Sequence, residues 1–235
     1  LVPNFPGLSQ VPHYTTDNIW EIKSQPKRLL VLGGGPIGSE LAQAFQRLGT
    51  QVIQIEKESQ LLIKEDADVA HLIHQQFKKE GIDVRTGFTA RSFGRDDKGY
   101  FVAGGGGRGD EKIYFDAELF ALGRRARTEG FGLEKIGVNL RPNKTIEANE
   151  FLQATFPNIY VCGDVTGPFQ FTHTASHMAW FCAVNALFSP LKKFKVDYSV
   201  IPWATFTDPE IGRVGLNEKE AKENGIRYEV QTYAT

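Results

Sequence analysis

Arg28-Leu29-Leu30-Val31-Leu32-Gly33-Gly34-Gly35-Pro36-Ile37-Gly38-Ser39-Glu40 is an apolar run that passes directly into G-x-G-x-x-G. A glycine triplet also serves plain turns, so its surroundings decide its meaning. Ile37, Leu41, Ala44, Phe45 and Leu48 recur at helical spacing and predict a helix, with Gly49 as its C-terminal cap. A second apolar run, Gln51 to Ile55, then ends in the acidic Glu56. Strand, tight turn, helix, strand and terminal acid follow in the order of a dinucleotide-binding unit, with the acid about 20 residues past the glycines.

Each part has a physical role. Gly33 permits the sharp turn, Gly35 lets the backbone approach a pyrophosphate, and Gly38 lets the helix pack close to its strand. Pro36 and Ile37 open the helix, whose free N–H groups and positive dipole end suit phosphate. Glu56 is placed to accept from an adenosine ribose, which favours NAD and repels the extra phosphate of NADP; Lys57 beside it pulls the other way.

The chain has 235 residues and a formal net charge of -1, which argues against a nucleic-acid partner. Its apolar runs break well short of the roughly 18 residues of a membrane helix. No basic-then-apolar leader opens it, so a cytoplasmic setting is expected. Cys162 and Cys182, the two cysteines, are too few for a disulfide framework and read as structural thiols. His71 and His74, on a helix with the stripe Val69, Leu72, Ile73 and Phe77, read as a solvated face, and no metal site is expected. The chain opens on Leu1 and the proline-rich Val2-Pro3-Asn4-Phe5-Pro6-Gly7, and ends in a strand-like run from Tyr228 to Tyr233. Both ends read as cut, so an internal fragment is expected.

Four further segments carry information. Residues 1–26 read as an irregular entry segment with a short helix or turn at Thr16–Trp20, and Ile82-Asp83-Val84 reads as the third strand. Ala90 to Phe115 alternates as short strands, with Gly104 to Asp110 as a hairpin tip; neither a phosphate loop nor an adhesion signal fits it. Thr155 to Asp164 reads as a buried strand ending in Gly163-Asp164, a carboxylate at a strand's C-terminal edge. Thr172 to Phe188 reads as a long helix whose start, with His173, faces ligand through its backbone, and His177 reads as packing.

With Ala121-Leu122-Gly123-Arg124 and Phe206-Thr207-Asp208-Pro209-Glu210-Ile211, these segments resemble the pyridine nucleotide–disulfide oxidoreductases, on the mercuric reductase-like and dihydrolipoamide dehydrogenase-like side. The resemblance spans essentially the whole chain. It implies an α/β fold: a Rossmann-type NAD(P)-binding domain with an inserted antiparallel meander, part of an FAD domain, and the start of an α+β dimerisation domain. The bounds it suggests are 1–26 for a linker from the FAD domain, 27–148, 149–198 and 199–235.

It implies NAD(P) contacts from Gly33, Gly34, Gly35, Pro36, Ile37, Gly38, Glu40, Glu56, Ala90 and Gly123. FAD contacts fall to Gly163, Asp164, Phe171, Thr172 and His173. Glu40 is the one auxiliary catalytic group, beside the reacting rings; the redox cysteines and acid/base pair would lie outside this chain. Leu122 stands where the family has threonine. The resemblance further implies FAD and NAD as cofactors, a homodimer, and hydride transfer from nicotinamide to flavin and on to a disulfide or metal acceptor. The isolated fragment is expected to be inactive. A regulatory NAD-binding module and a flavin-only reductase or transhydrogenase are the alternatives. Trp180, Phe181, Trp203 and Phe206 are expected to expose apolar surface.

Overall fold

The fold was read from a computed structural model that describes residues 2–107 and 109–233. Leu1, Arg108, Ala234 and Thr235 lie outside the described residues, and with Arg108 goes the middle of the glycine-rich hairpin tip. The chain divides into two compact units, residues 1–123 with 204–235, and residues 124–203.

Unit one is built on a parallel sheet. Its strands are β1 (His13–Tyr14), β2 (Arg28–Leu32), β3 (Gln51–Ile55), β4 (Asp83–Arg85) and, after an excursion, β8 (Ala117–Phe120). They lie in the order β1-β8-β2-β3-β4, with Leu29–Leu32 registered on Ala117–Phe120 and Arg28–Leu32 registered on Gln51–Ile55. Helix α1 (Pro36–Arg47) joins β2 to β3, and α2 (Ala67–Lys79) joins β3 to β4. The excursion is a three-stranded antiparallel sheet of β5 (Thr89–Asp96), β6 (Gly99–Gly106) and β7 (Gly109–Phe115). The glycines from Gly104 to Gly106 therefore lie within β6, and Gly106 pairs with Gly109 across the turn.

Side-chain alternation explains why these strands read as continuous apolar runs: both faces are covered. Leu29, Val31, Val52, Ala117 and Leu119 point to one side and pack with Ala42, Ile73 and Phe77 of the two helices. Leu30, Leu32, Ile53, Ile55 and Phe120 point to the other and meet Phe93, Val102, Ile113 and Phe115 of the antiparallel sheet. Helices, parallel sheet and antiparallel sheet make three layers. Each fully buried Leu, Ile or Phe here contributes about 1.5–3 kcal/mol.

Several details depart from the sequence reading. The buried face of α1 is Gly38, Ser39, Ala42 and Gln43, whereas Leu48 is 70% exposed. Small residues allow close approach to the sheet. Gln43 is tolerated because its amide donates to Glu80 and to the Asp208 carbonyl, and its carbonyl accepts from the Asp208 N–H. The entry segment also supplies Leu8, Val11 and Ile19 to the cores and the edge strand β1, and its short 3-10 turn lies at Ile19–Glu21. The third strand begins one residue later than expected. Tyr228 to Tyr233 forms no strand, since it meets no neighbour with which to share a ladder among the described residues.

Residues 204–233 close onto unit one through Arg213. Strand β10 (Ile211–Val214) follows β9 (Pro202–Thr205), within which the division between the units falls, and α5 (Glu218–Glu223) carries a capping box from Asn217 and Glu220. The Arg213 guanidinium is almost wholly buried, pairs with Glu65 at 3.5 Å and with Glu220, and donates to the Lys64 carbonyl.

Unit two has little regular structure beyond α3 (Leu133–Ile136) and α4 (Thr172–Phe188). Leu152, Met178 and Val196 form its small core. The expected strand before Gly163 is reduced to a bridge between Gln153 and Tyr160, because no longer strand lies beside it among the described residues. Among the described residues no helix is long and apolar enough to cross a membrane.

Two predictions follow from unit one. Glu118 is fully buried on the face of Leu30 and Phe120, neither of its oxygens has a hydrogen-bond partner, and burial pushes its carboxyl from 4.5 up to about 9. Its folded pKa exceeds its unfolded one, so this contribution to stability is complete below pH 4.5 and is lost as pH rises toward 9. In urea unfolding, the advantage of Glu118→Gln over wild type should grow by roughly 3 kcal/mol between pH 4.5 and 7; parallel pH profiles would remove the buried-acid assignment. Arg213→Ala removes the buried pairs with Glu65 and Glu220 and should cost about 3 kcal/mol. Early proteolytic cleavage within residues 204–233 is the expected sign, and an unchanged digestion pattern would show that the clasp holds nothing.

Candidate functional site

The glycine turn in unit one is fixed from three sides. Gly33 has φ +120, and a Cβ added there would lie 2.5 Å from the Ala121 carbonyl oxygen, so only glycine lets the turn lie flush on the end of β8. A Cβ at Gly38 would run into the Gly33 carbonyl, so α1 can start this close only with glycine. Gln54, a polar residue in an otherwise apolar strand, is fully buried and donates to the Gly33 carbonyl at 3.0 Å. Sequence reasoning passed over Gln54; its polarity at the centre of Val52–Ile55 was the available signal.

Glu56 leaves the end of β3 and turns back on the glycines. Its carboxylate accepts from the Gly34 N–H at 2.6 Å and from the Glu58 N–H at 2.9 Å. Leu62 donates its N–H to the Gly34 carbonyl, so residues 56–62 wrap the turn. Gly123 follows β8 with φ +96 and lies, through Ala121, at the same sheet edge as Gly33. Leu122 packs into the apolar cluster instead of offering a polar contact.

Around this turn the structure leaves space. A Cβ added at Gly35 meets nothing within 4 Å, and no side chain caps the N-terminus of α1, where Pro36 takes the first position. An open face over uncapped N–H groups, with a carboxylate one strand away, suits a dinucleotide pyrophosphate and its ribose. Ala90 sits on β5, half-buried, opposite Gly104, and Phe88 two residues before it donates its N–H to the Glu56 carbonyl. The structure thus brings Gly33–Gly38, Glu56 and Gly123 together and sets Ala90 on the neighbouring sheet. Glu40, one turn into α1, accepts from the Phe206 N–H at 2.9 Å.

In unit two the Gly163-Asp164 pair ends at an ion pair. Asp164 lies 3.1 Å from Arg124, which also donates to the Gln170 carbonyl. Arg124 was not anticipated as a partner; its place directly after Gly123 was the signal. Phe171 caps α4 through its backbone alone, and Thr172 and His173 form the first turn. The His173 ring stacks on Phe171 at 5.4 Å, and its Nε2 lies 2.6 Å from the Pro202 carbonyl. Thr174 is fully buried with an unpartnered hydroxyl. A half-exposed carboxylate, an uncapped 17-residue helix and an orphaned hydroxyl suit a polyhydroxylated, electron-rich ligand. His177, read as packing, is exposed instead; its ring lies edge-on to Phe181 and its Nε2 on the Asp197 carbonyl. Trp180 and Phe206 are exposed, while Phe181 and Trp203 are half-buried. His71 pairs with Gln75; burial, then His71, lowers the pKa of His74.

Comparison with known proteins adds the family. Residues 1–179 match the model of the pyridine nucleotide-disulphide oxidoreductases, and residues 201–235 match the dimerisation domain of the same family. A mercuric reductase of Streptomyces lividans is 36% identical over 230 residues, covering 98% of this chain and 48% of the relative. A dihydrolipoyl dehydrogenase of Thermus scotoductus is 39% identical over 209 residues, or 87% and 44%. Among solved structures, the HOCl-induced flavoprotein disulfide reductase RclA from Escherichia coli superposes with a TM-score of 0.82 at 29% identity, covering 96% of this chain and 51% of that one. The chain spans about half the length of the curated relatives it matches. The three-layer α/β unit and these two matches in sequence order lead to one conclusion: the chain belongs to the pyridine nucleotide-disulphide oxidoreductase family.

Proposed function

We propose that the protein containing this chain is an FAD-dependent oxidoreductase that takes reducing equivalents from a nicotinamide dinucleotide, and that unit one is its nicotinamide nucleotide site. The observation that carries this reading is the open, uncapped turn at Gly35 with Glu56 folded against Gly34. When bound, the nicotinamide supplies hydride and the flavin accepts it.

The chain's own residues bind and orient. Gly33 to Gly38 hold the pyrophosphate against backbone N–H groups, and Glu56 receives the ribose while fixing the turn. Gly123, without a side chain, leaves room at the sheet edge for the rest of the nucleotide, and Ala90 flanks the adenine end. Glu40, already anchored by the Phe206 N–H, is the auxiliary group near the reacting rings. In unit two, Asp164, steadied by Arg124, receives flavin hydroxyls, and the start of α4 at Phe171, Thr172 and His173 offers backbone N–H groups to the ring edge.

A carboxylate at the ribose favours NAD over NADP. The mercuric reductases and dihydrolipoyl dehydrogenases among the relatives support a metal ion or a disulfide as the acceptor class in this reading. The match of residues 201–235 to a dimerisation domain supports a homodimer, and a cytoplasmic setting goes with this reading.

In the full-length protein, Gly35→Ala should leave the melting temperature unchanged, since the new methyl meets no protein atom within 4 Å. It should weaken NADH binding at least tenfold, read by fluorescence titration; unaltered affinity would move the pyrophosphate elsewhere. Glu56→Gln removes the charge and keeps one acceptor oxygen for either the Gly34 or the Glu58 N–H, which bond to different oxygens of Glu56. NADPH should gain relative to NADH in kcat/KM by about tenfold, about 1.4 kcal/mol. Equal changes for both nucleotides would take the ribose role from Glu56.

A further inference from the structure

Cys162 and Cys182 are twenty residues apart in sequence and adjacent in unit two. Cys162 directly precedes Gly163-Asp164, and Cys182 lies in the third turn of α4. The Cys182 thiol donates to the Val161 carbonyl, with sulfur to oxygen at 3.6 Å, and that carbonyl belongs to the peptide that leads into Cys162. Both side chains pack on the same cluster of Leu152, Met178 and Val196, and the Cys162 thiol is among the groups that, after burial, raise the pKa of Cys182. Each is free and half-buried, so small reagents in solution reach them. A Cβ added at the neighbouring Gly163 would touch the Ala175 methyl at 3.2 Å, so the segment before Asp164 lies against the helix at this level.

We propose that Cys162 and Cys182 are an oxidation site: a thiol pair that closes to an intramolecular disulfide when met by a small disulfide oxidant of the glutathione class. The thiolate of Cys162 attacks one sulfur of glutathione disulfide, forming a mixed disulfide and expelling one glutathione thiolate. The Cys182 sulfur then attacks the Cys162 sulfur; the mixed disulfide breaks, the protein disulfide forms, and a second glutathione leaves with the Cys182 proton. Two protein thiols are oxidised and one glutathione disulfide is reduced to two thiols. The order of attack follows from burial, which pushes the Cys182 thiol up to about 12 and keeps it protonated until its partner is already activated. Closure ties the segment bearing Gly163-Asp164 to α4, the two elements that flank the flavin-type site.

The test is to treat the folded full-length protein with glutathione disulfide, block the remaining thiols with iodoacetamide, and map peptides by mass spectrometry without reduction. Trypsin leaves both cysteines in one peptide, since neither Lys nor Arg occurs between Lys144 and Lys192. Chymotrypsin, cutting at Phe169 and Phe171 between them, separates the two. The expected product is a crosslinked peptide pair, two hydrogens lighter than the sum and resolved by dithiothreitol. Cys182→Ser should instead accumulate glutathione on Cys162, and Cys162→Ser should leave Cys182 largely unmodified. Two alkylated cysteines after oxidation, a crosslink only between chains, or glutathione mainly on Cys182 would each overturn the proposal.

Discussion

The close approach of three backbone segments at the head of the parallel sheet sets the geometry of unit one. The Ala121 carbonyl bears on Gly33, and the Gly33 carbonyl bears on Gly38, so strand end, turn and helix start are nested with no side chain between them. Gln54 reaches the same Gly33 carbonyl from β3, and Glu56 reaches the Gly34 N–H. Because every contact is to backbone, the turn is held in place without spending a side chain on its outer face. That face is free for a ligand. The register of β8 beside β2 carries Gly123 to the same edge, so one steric constraint positions both glycine segments.

What surrounds this constraint is a division of labour between the two faces of one sheet. Helices cover one side and the antiparallel sheet the other, and each strand feeds alternate residues to each. The inserted β5–β7 sheet thus does the packing a second helical layer would do. It also fixes the loop after Glu56, since Phe88, one residue before β5, hydrogen-bonds to the Glu56 carbonyl. Fold and site share the same atoms here.

The elements legible in the sequence were those with strong local chemistry. The run Leu29–Gly38, the periodicity of α2, the meander and the long α4 each follow from local composition, and the glycine spacing marked the turn at the head of the sheet. The rest depended on contacts distant in sequence. The buried face of α1 is polar at Ser39 and Gln43, and Gln43 is acceptable because Glu80 and Asp208, both distant in sequence, meet it. The entry segment has no period, yet Leu8, Val11 and Ile19 find cores made by strands far along the chain. Ile159–Cys162 and Tyr228–Tyr233 have strand composition without a neighbouring ladder, and composition alone cannot supply hydrogen-bond partners. The partners of Arg124 and Arg213, namely Asp164 and Glu65, come to them only through contacts distant in sequence.

Glu118 leaves a trace in the energetics of the whole chain. A carboxyl that stays protonated on the face of Leu30 and Phe120 at neutral pH must release its proton to solvent once the strands separate. Unfolding at pH 7 is therefore a proton-releasing reaction, and the measured enthalpy contains the heat with which the buffer takes that proton up. Phosphate and Tris, whose ionisation heats differ widely, report different unfolding enthalpies for this same fold.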